Sequence, residues 1–235
     1  MSLPQGVFDP GSTCWELIHG AAAGNERDRT AFAQLYLPVV RSYLESRWRD
    51  SPLLGEVEDA AQDVFLECFR QEGALTRVKP GGGAGGFRAF LLATIRNIAR
   101  RVEDRRARRK EHDAGSGVRA ADEQPDEDSR LTEVFDRAWL MSLLDQTVLR
   151  QKEMARDRGE AASKRVELLR LRFNHDLPIR EIARRWDVPA ERLHHEYATA
   201  RREFMRALRE VVTFHYPDDP AAIGHVLERL KEHVR

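Results

Sequence analysis

The chain has 235 residues, with 39 basic and 39 acidic side chains and 41% hydrophobic content, a length that suits either one large domain or two small ones. Its mean hydropathy is −0.59, no apolar run approaches the ~20 residues of a membrane-spanning helix, and Met1 to Gly11 lacks the basic start and apolar stretch of a secretory signal. The two cysteines, Cys14 and Cys68, form no C-x-x-C pair, which argues against a disulfide framework and a cysteine zinc site and leads us to expect a reduced, cytoplasmic setting.

Reading along the chain, Thr13-x-x-Glu16 is a capping-box pattern that opens a short helix with Trp15, Ile18 and Ala22 on one face. A second helix is expected from about Asp28 to Trp48, carrying Phe32, Leu35, Tyr36, Val39 and Tyr43 at core spacing and bent at Pro38. A third, from about Val57 to Arg70, buries Ala61, Phe65, Cys68 and Phe69. Gly73 to Gly86 reads as a glycine-rich loop. The fourth helix, about Phe87 to Lys110, repeats apolar residues at 3.6-residue period from Phe87 to Val102, so its first half should pack and its second half project into solvent.

Formal net charge is +0, yet the charges are segregated. Arg96, Arg100, Arg101, Arg105, Arg106, Arg108, Arg109 and Lys110 crowd one segment, and the acids Glu111, Asp113, Asp122, Glu123, Asp126, Glu127 and Asp128 follow it. This pattern predicts a charged, flexible linker over Glu111 to Arg130. It joins two small helical lobes of an all-α protein, residues 13–110 and 131–212. A C-terminal extension over 213–235 holds a short amphipathic helix that starts after Asp219 and Pro220 and is expected to pack on the chain itself.

In the second lobe a helix should begin at Leu131 and continue towards Asp157, and another should carry Val166, Leu169 and Phe173. Pro178 to Trp186 then reads as a short helix with Ile179, Ile182 and Ala183 inward, Asp187-Val188 as a tight turn, and Pro189 as the start of a longer helix. Leu193, Tyr197, Ala200 and Phe204 mark the buried side of that helix. Short helix, brief turn and longer helix make a helix-turn-helix pattern.

Three segments carry a family resemblance. Glu58-Asp59-Ala60-Ala61-Gln62-Asp63-Val64-Phe65 resembles the D-x-x-Q-D-V-F motif of sigma region two, and Phe87 to Asn97 resembles the F-R-x-W-L-x-x-I-A-R-N helix that follows it. Leu177-Pro178-Ile179-Arg180-Glu181-Ile182-Ala183 resembles the L-S-x-x-E-I-A opening of region four. In this order, over roughly Thr13 to Val212, the chain resembles an extracytoplasmic-function sigma factor, which implies core RNA polymerase and promoter DNA as partners. Whether an anti-sigma factor joins them is left open by the sequence. Several positions depart from the pattern: Arg101 stands where related helices often carry Asp, Asp187 where the turn usually has Gly, and Pro189, His194 and Glu196 where the last helix usually has a small polar cap and basic residues.

Asp59, Gln62 and Asp63 fall at i, i+3 and i+4 on the third helix, an acidic and amide face suited to a basic partner helix; the resemblance implies core polymerase. Arg96, Asn97 and Arg100 on the fourth helix, with Arg77 and Lys79 in the preceding loop, are assigned to the downstream promoter element. For the upstream element the outward residues of the last helix are Glu191, Arg192, His195, Thr199 and Arg202. Arg192 and His195 lie where such helices meet base edges, Arg202 is placed to contact phosphate, and Glu191 favours the positive helix end more than a base.

No catalytic role, cofactor or metal is expected. His194 and His195 are adjacent and cannot share a helical face, His175 and Asp176 lack a matching ligand one turn on, and Gly81 to Gly86 lacks the Lys-Ser/Thr of a phosphate-binding loop. Two other readings stay open. One is a free-standing helix-turn-helix regulator whose first lobe is a sensor, and the other is a sigma-like protein that has lost part of its promoter readout.

Overall fold

The structure is a computed structural model and describes residues 13–70, 86–114, 125–217 and 219–233. Its described residues are helical throughout, in the order α1 (Cys14–Ala22), α2 (Glu26–Arg47), a 3-10 turn (Pro52–Glu56), α3 (Val57–Phe69), α4 (Gly86–Ala114), α5 (Pro125–Arg158), α6 (Glu160–Asn174), α7 (Ile179–Trp186), α8 (Ala190–His215) and α9 (Pro220–His233). Two compact units result, one over Thr13–Ser142 and the other over Leu143–Arg235. Among the described residues no helix is long and apolar enough to cross a membrane.

Local chemistry sets the helix starts of the first unit. The Thr13 hydroxyl accepts from the Glu16 amide at 3.3 Å while the Glu16 carboxylate accepts from the Thr13 amide at 3.1 Å, closing the capping box. Asn25 caps α2 by accepting from the amides of Arg27 and Asp28, so this helix begins ahead of the expected Asp28. The helix continues through Pro38, which lies on its exposed side.

Aromatic rings fill the space between these helices. Phe32 meets Tyr36, Phe69 and Phe87 edge-on, with ring centroids 4.8, 5.3 and 5.5 Å away. Such pairs add about 0.5–1.5 kcal/mol each beyond their area burial. Trp139 of α5 stacks on Tyr36 at 5.7 Å, and the Ser142 hydroxyl donates to the Leu35 carbonyl at 3.0 Å. Residues 131–142, expected in the second lobe, therefore pack in the first unit. Their apolar period shows that one face is buried but not against which neighbours.

The packed face of α4 reaches the end of its apolar repeat. Ala99 and Val102 are buried, and Glu103 accepts from Arg47 at 2.7 and 2.9 Å and from the Trp48 indole at 2.7 Å. Moreover, α4 runs to Ala114 and α5 starts at Pro125, so residues 111–114 and 125–130 of the expected linker are helical. The rest of that linker and most of the glycine-rich loop lie outside the described residues.

In the second unit, α8 is the element on which α6, α7 and α9 pack. Gly159, at φ 87° and ψ −170°, adopts an extended positive-φ conformation open to glycine and separates α5 from α6. Ala162, Leu168 and Leu169 form the buried side of α6, whereas Phe173 is exposed. The extension follows its sequence signals: the Asp219 carboxylate caps α9 through the Ala222 amide at 2.8 Å, and Val226 and Leu230 are buried in this unit.

A buried polar pair ties α5 to α8. His215 lies with Nε2 2.7 Å from Gln146 Oε1, and Gln151 donates to the Ala200 carbonyl at 3.3 Å. Burial lowers the His215 pKa from 6.5 to about 3, so the ring is neutral in the folded unit. The unfolded chain takes up this proton first as pH falls, so stability is complete above about pH 6.5 and declines towards pH 3. Protection of the α8 amides should therefore fall by about 1 kcal/mol between pH 7 and 5.5, and this loss should vanish in His215→Gln. An identical pH dependence in both proteins would remove His215 as its source.

Candidate functional site

On α3, Val57, Ala60, Ala61, Val64 and Cys68 are buried, which turns Glu58, Asp59 and Gln62 outward. Phe65 and Phe69, expected in that stripe, are half-buried and stack on each other. Asp59 and Gln62 have no hydrogen-bond or ionic partner among the described residues. Asp63 does, because Arg105 of α4 donates to it at 3.2 Å, and Arg101 reaches Glu67 at the same distance. Arg101 is thus an internal partner of an α3 acid. A shallow groove beside these pairs is lined by Asp59, Asp63, Arg105, Arg106 and Arg109.

The residues expected to face downstream DNA are not equivalent. Asn97 and Arg100 are exposed on α4. Arg96 is half-buried: its guanidinium donates to the Thr132 hydroxyl at 2.8 Å and the Asp128 carbonyl at 3.4 Å, and lies 3.5 Å from the Asp128 carboxylate. Arg88, two turns earlier, pairs with Asp136 and lies 5.5 Å from the Phe135 ring centroid. The register is antiparallel, Arg88 to Asp136 and Arg96 to Asp128, so both arginines clasp α5 onto α4. Arg77 and Lys79 lie outside the described residues.

In the second unit, Ile179, Ile182 and Ala183 of α7, Leu193 of α8 and Leu168 of α6 form one buried cluster. Three residues, 187 to 189, connect α7 to α8. Asp187 takes the left-handed conformation, φ 53° and ψ 50°, and the Val188 amide returns to the Ala183 carbonyl at 3.1 Å. The chain keeps the turn and places an aspartate in it. Asp tolerates this region better than most residues because its short polar side chain can bond locally.

With Leu193 inward, Glu191, Arg192, His195 and Arg202 are exposed and Thr199 is half-buried. Arg202 donates to the Thr199 hydroxyl at 3.0 Å. These expected residues share the outer side of α8, whose orientation is set by a clamp that the sequence reading missed. Arg165 of α6 grips Glu203 through two hydrogen bonds of 2.9 and 2.7 Å and reaches Glu196 at 3.3 Å. The Glu203 hydrogen bonds hold its pKa above the ordinary arginine value. Arg180 and Arg184 of α7 were missed as well; both are exposed opposite the buried apolar set. Their one-turn spacing against Ile179, Ile182 and Ala183 was the available signal.

Among the described residues no group of three or more His, Cys, Asp or Glu side chains is placed to hold a metal ion. Compared with known proteins, the chain matches no family model, no curated sequence and no solved structure.

The Asp187 backbone supplies a test of the turn. Asp187→Gly should stabilise the α7–α8 pair by about 0.5–1 kcal/mol, because glycine adopts positive φ without the penalty of a side chain. Amide exchange at Ile182 and Leu193 reads this directly. Faster exchange in the variant would mean that the Asp187 side chain contributes more than its backbone strain costs.

Proposed function

We propose that this chain is a sigma factor of the extracytoplasmic-function type, which docks on core RNA polymerase in the cytoplasm and directs it to promoters. In this reading the Thr13–Ser142 unit is the lobe for polymerase and the downstream element. The Leu143–Arg235 unit carries a helix-turn-helix, α7 and α8, for the upstream element. The observation that carries the reading is the division of residues within the D-x-x-Q-D-V-F segment. Ala60, Ala61 and Val64 are buried while Asp59 and Gln62 are exposed without partners among the described residues. A merely solvated helix face has no need of that acidic and amide pairing at one-turn spacing.

Support also comes from α8, where Arg192 and His195 lie near the exposed N-terminal end, the part of such a helix that meets base edges. Arg202, further along, is suited to phosphate. On α4 the proposal keeps Asn97 and Arg100, both exposed, while the Arg96 guanidinium is engaged by Thr132 and Asp128.

A free-standing helix-turn-helix regulator is the second reading. It is favoured by the internal pairing of Asp63 with Arg105 and of Arg96 with Thr132, which withdraws two residues from the surfaces that the first reading uses.

Pull-down with core polymerase separates the two. The wild-type chain should be retained by core enzyme, and Asp59→Arg should weaken retention by about 2–5 kcal/mol while leaving helicity intact. Asp59 is the position to change because it takes part in no internal ion pair among the described residues. Failure of the wild-type chain to bind core polymerase would favour the regulator. Wild-type retention of a folded Asp59→Arg variant would remove α3 as the dock.

A further inference from the structure

Two arginines of α4 fasten α5, and the second contact is incomplete. Arg88 pairs with Asp136, which stands in sequence between the buried Phe135 and Trp139. Arg96 instead meets the first turns of α5, where Asp128 lies three residues ahead of the buried Leu131. The Asp128 carboxylate is 3.5 Å from the guanidinium, and the side chains of Asp128 and Arg96 keep 36% and 26% of their surface exposed. The hydrogen bonds of Arg96 leave from Nη2, to the Thr132 hydroxyl and the Asp128 carbonyl. Its Nε and Asp128 Oδ1 are buried with no hydrogen-bond partner among the described residues. A guanidinium binds best when two of its N–H groups meet two oxygens in parallel, and Asp128 does not supply that pair.

We infer that Asp128 and Thr132 hold Arg96 in reserve: they occupy its guanidinium in the free chain and surrender it to a phosphodiester of DNA lying on α4. The inference rests on the proposal that α4 faces DNA and is independent of polymerase binding. A phosphate offers the paired oxygens that this contact lacks, so the exchange satisfies Nε as well as Nη2. Little is lost when Arg96 leaves. The Thr132 hydroxyl already donates to the Asp128 carbonyl at 2.7 Å, and the Asp128 carboxylate, uncovered by the move, returns to water. Arg96 and Arg100 are one turn apart, about 5–6 Å between Cβ atoms, so the released guanidinium joins Asn97 and Arg100 on one face. The contact is therefore autoinhibitory: DNA must displace one acid before α4 presents its full set of donors.

The test is equilibrium binding of the full chain, alone and at low salt, to random-sequence DNA, duplex in one arm and single-stranded in the other. Asp128→Asn keeps the size of the side chain and removes its charge. It should tighten binding by roughly two- to fivefold, the factor that matches the loss of one exposed ion pair. Misfolding cannot produce a gain of this kind. In an Arg96→Ala background the same substitution should change nothing. Glu133→Gln, which removes another exposed acid of α5, should change nothing either. The arm that shows the gain names the form of DNA that α4 holds.

Unchanged binding by the Asp128 variant in both arms overturns the inference. So does a gain that persists without Arg96, which would make Asp128 a general repulsive charge, and so does an equal gain in the Glu133 variant. Retention by core polymerase is read separately. A chain that shows the Arg96-dependent gain but is not retained keeps the reserve and loses the sigma reading. Retention without the gain does the reverse.

Discussion

The cluster of Leu168, Ile179, Ile182, Ala183 and Leu193 is the constraint on which the polar surface of the C-terminal unit depends. It is small, so the angular setting of α7 and α8 matters at every residue. Ile179 and Ile182 inward leave Arg180 and Arg184 outward, and Leu193 inward leaves Arg192 and His195 outward. A shift of one residue in either helix would carry a guanidinium towards the apolar cluster, at a cost that an unpaired buried charge makes prohibitive. The Arg165 clamp on Glu203 and Glu196 and the left-handed turn at Asp187 hold the two helices to that setting from either side.

Many charges among the described residues are committed to the protein's own fold. Arg47 with Glu103, Arg96 with Asp128, Arg105 with Asp63 and Arg101 with Glu67 bring helices together within the first unit, and Arg150 with Glu210 does so in the second. A formal charge of +0 is then compatible with nucleic-acid binding, because interaction depends on which charges remain unpaired and where they sit. Arg180, Arg184 and Arg192 are among those that remain so in the described residues, and these three lie on or beside the α7–α8 connection.

Local signals were legible in the sequence where the physics is local. Thr13 and Glu16 announce their capping box, Asp219 and Pro220 announce α9, and the inward set Ile179, Ile182 and Ala183 follows from period alone. Long-range partners were not legible. Nothing near Arg96 reveals that Asp128 and Thr132 will meet it from α5, so a residue expected to face DNA proves to clasp two helices. Residues 131–142 are the same case: their apolar period marks a buried face, but only the fold supplies Tyr36 as the stacking partner of Trp139. The exposed arginines of α7 carry no motif of their own, and only their spacing against Ile179, Ile182 and Ala183 marks the face they share.

Transcription in vitro from a promoter library, with core polymerase alone and with the chain added, tests the central claim most directly. The account predicts initiation that depends on the chain and selects promoters sharing one upstream and one downstream element. No chain-dependent transcript from any promoter, together with tight duplex binding by the chain alone, would contradict it.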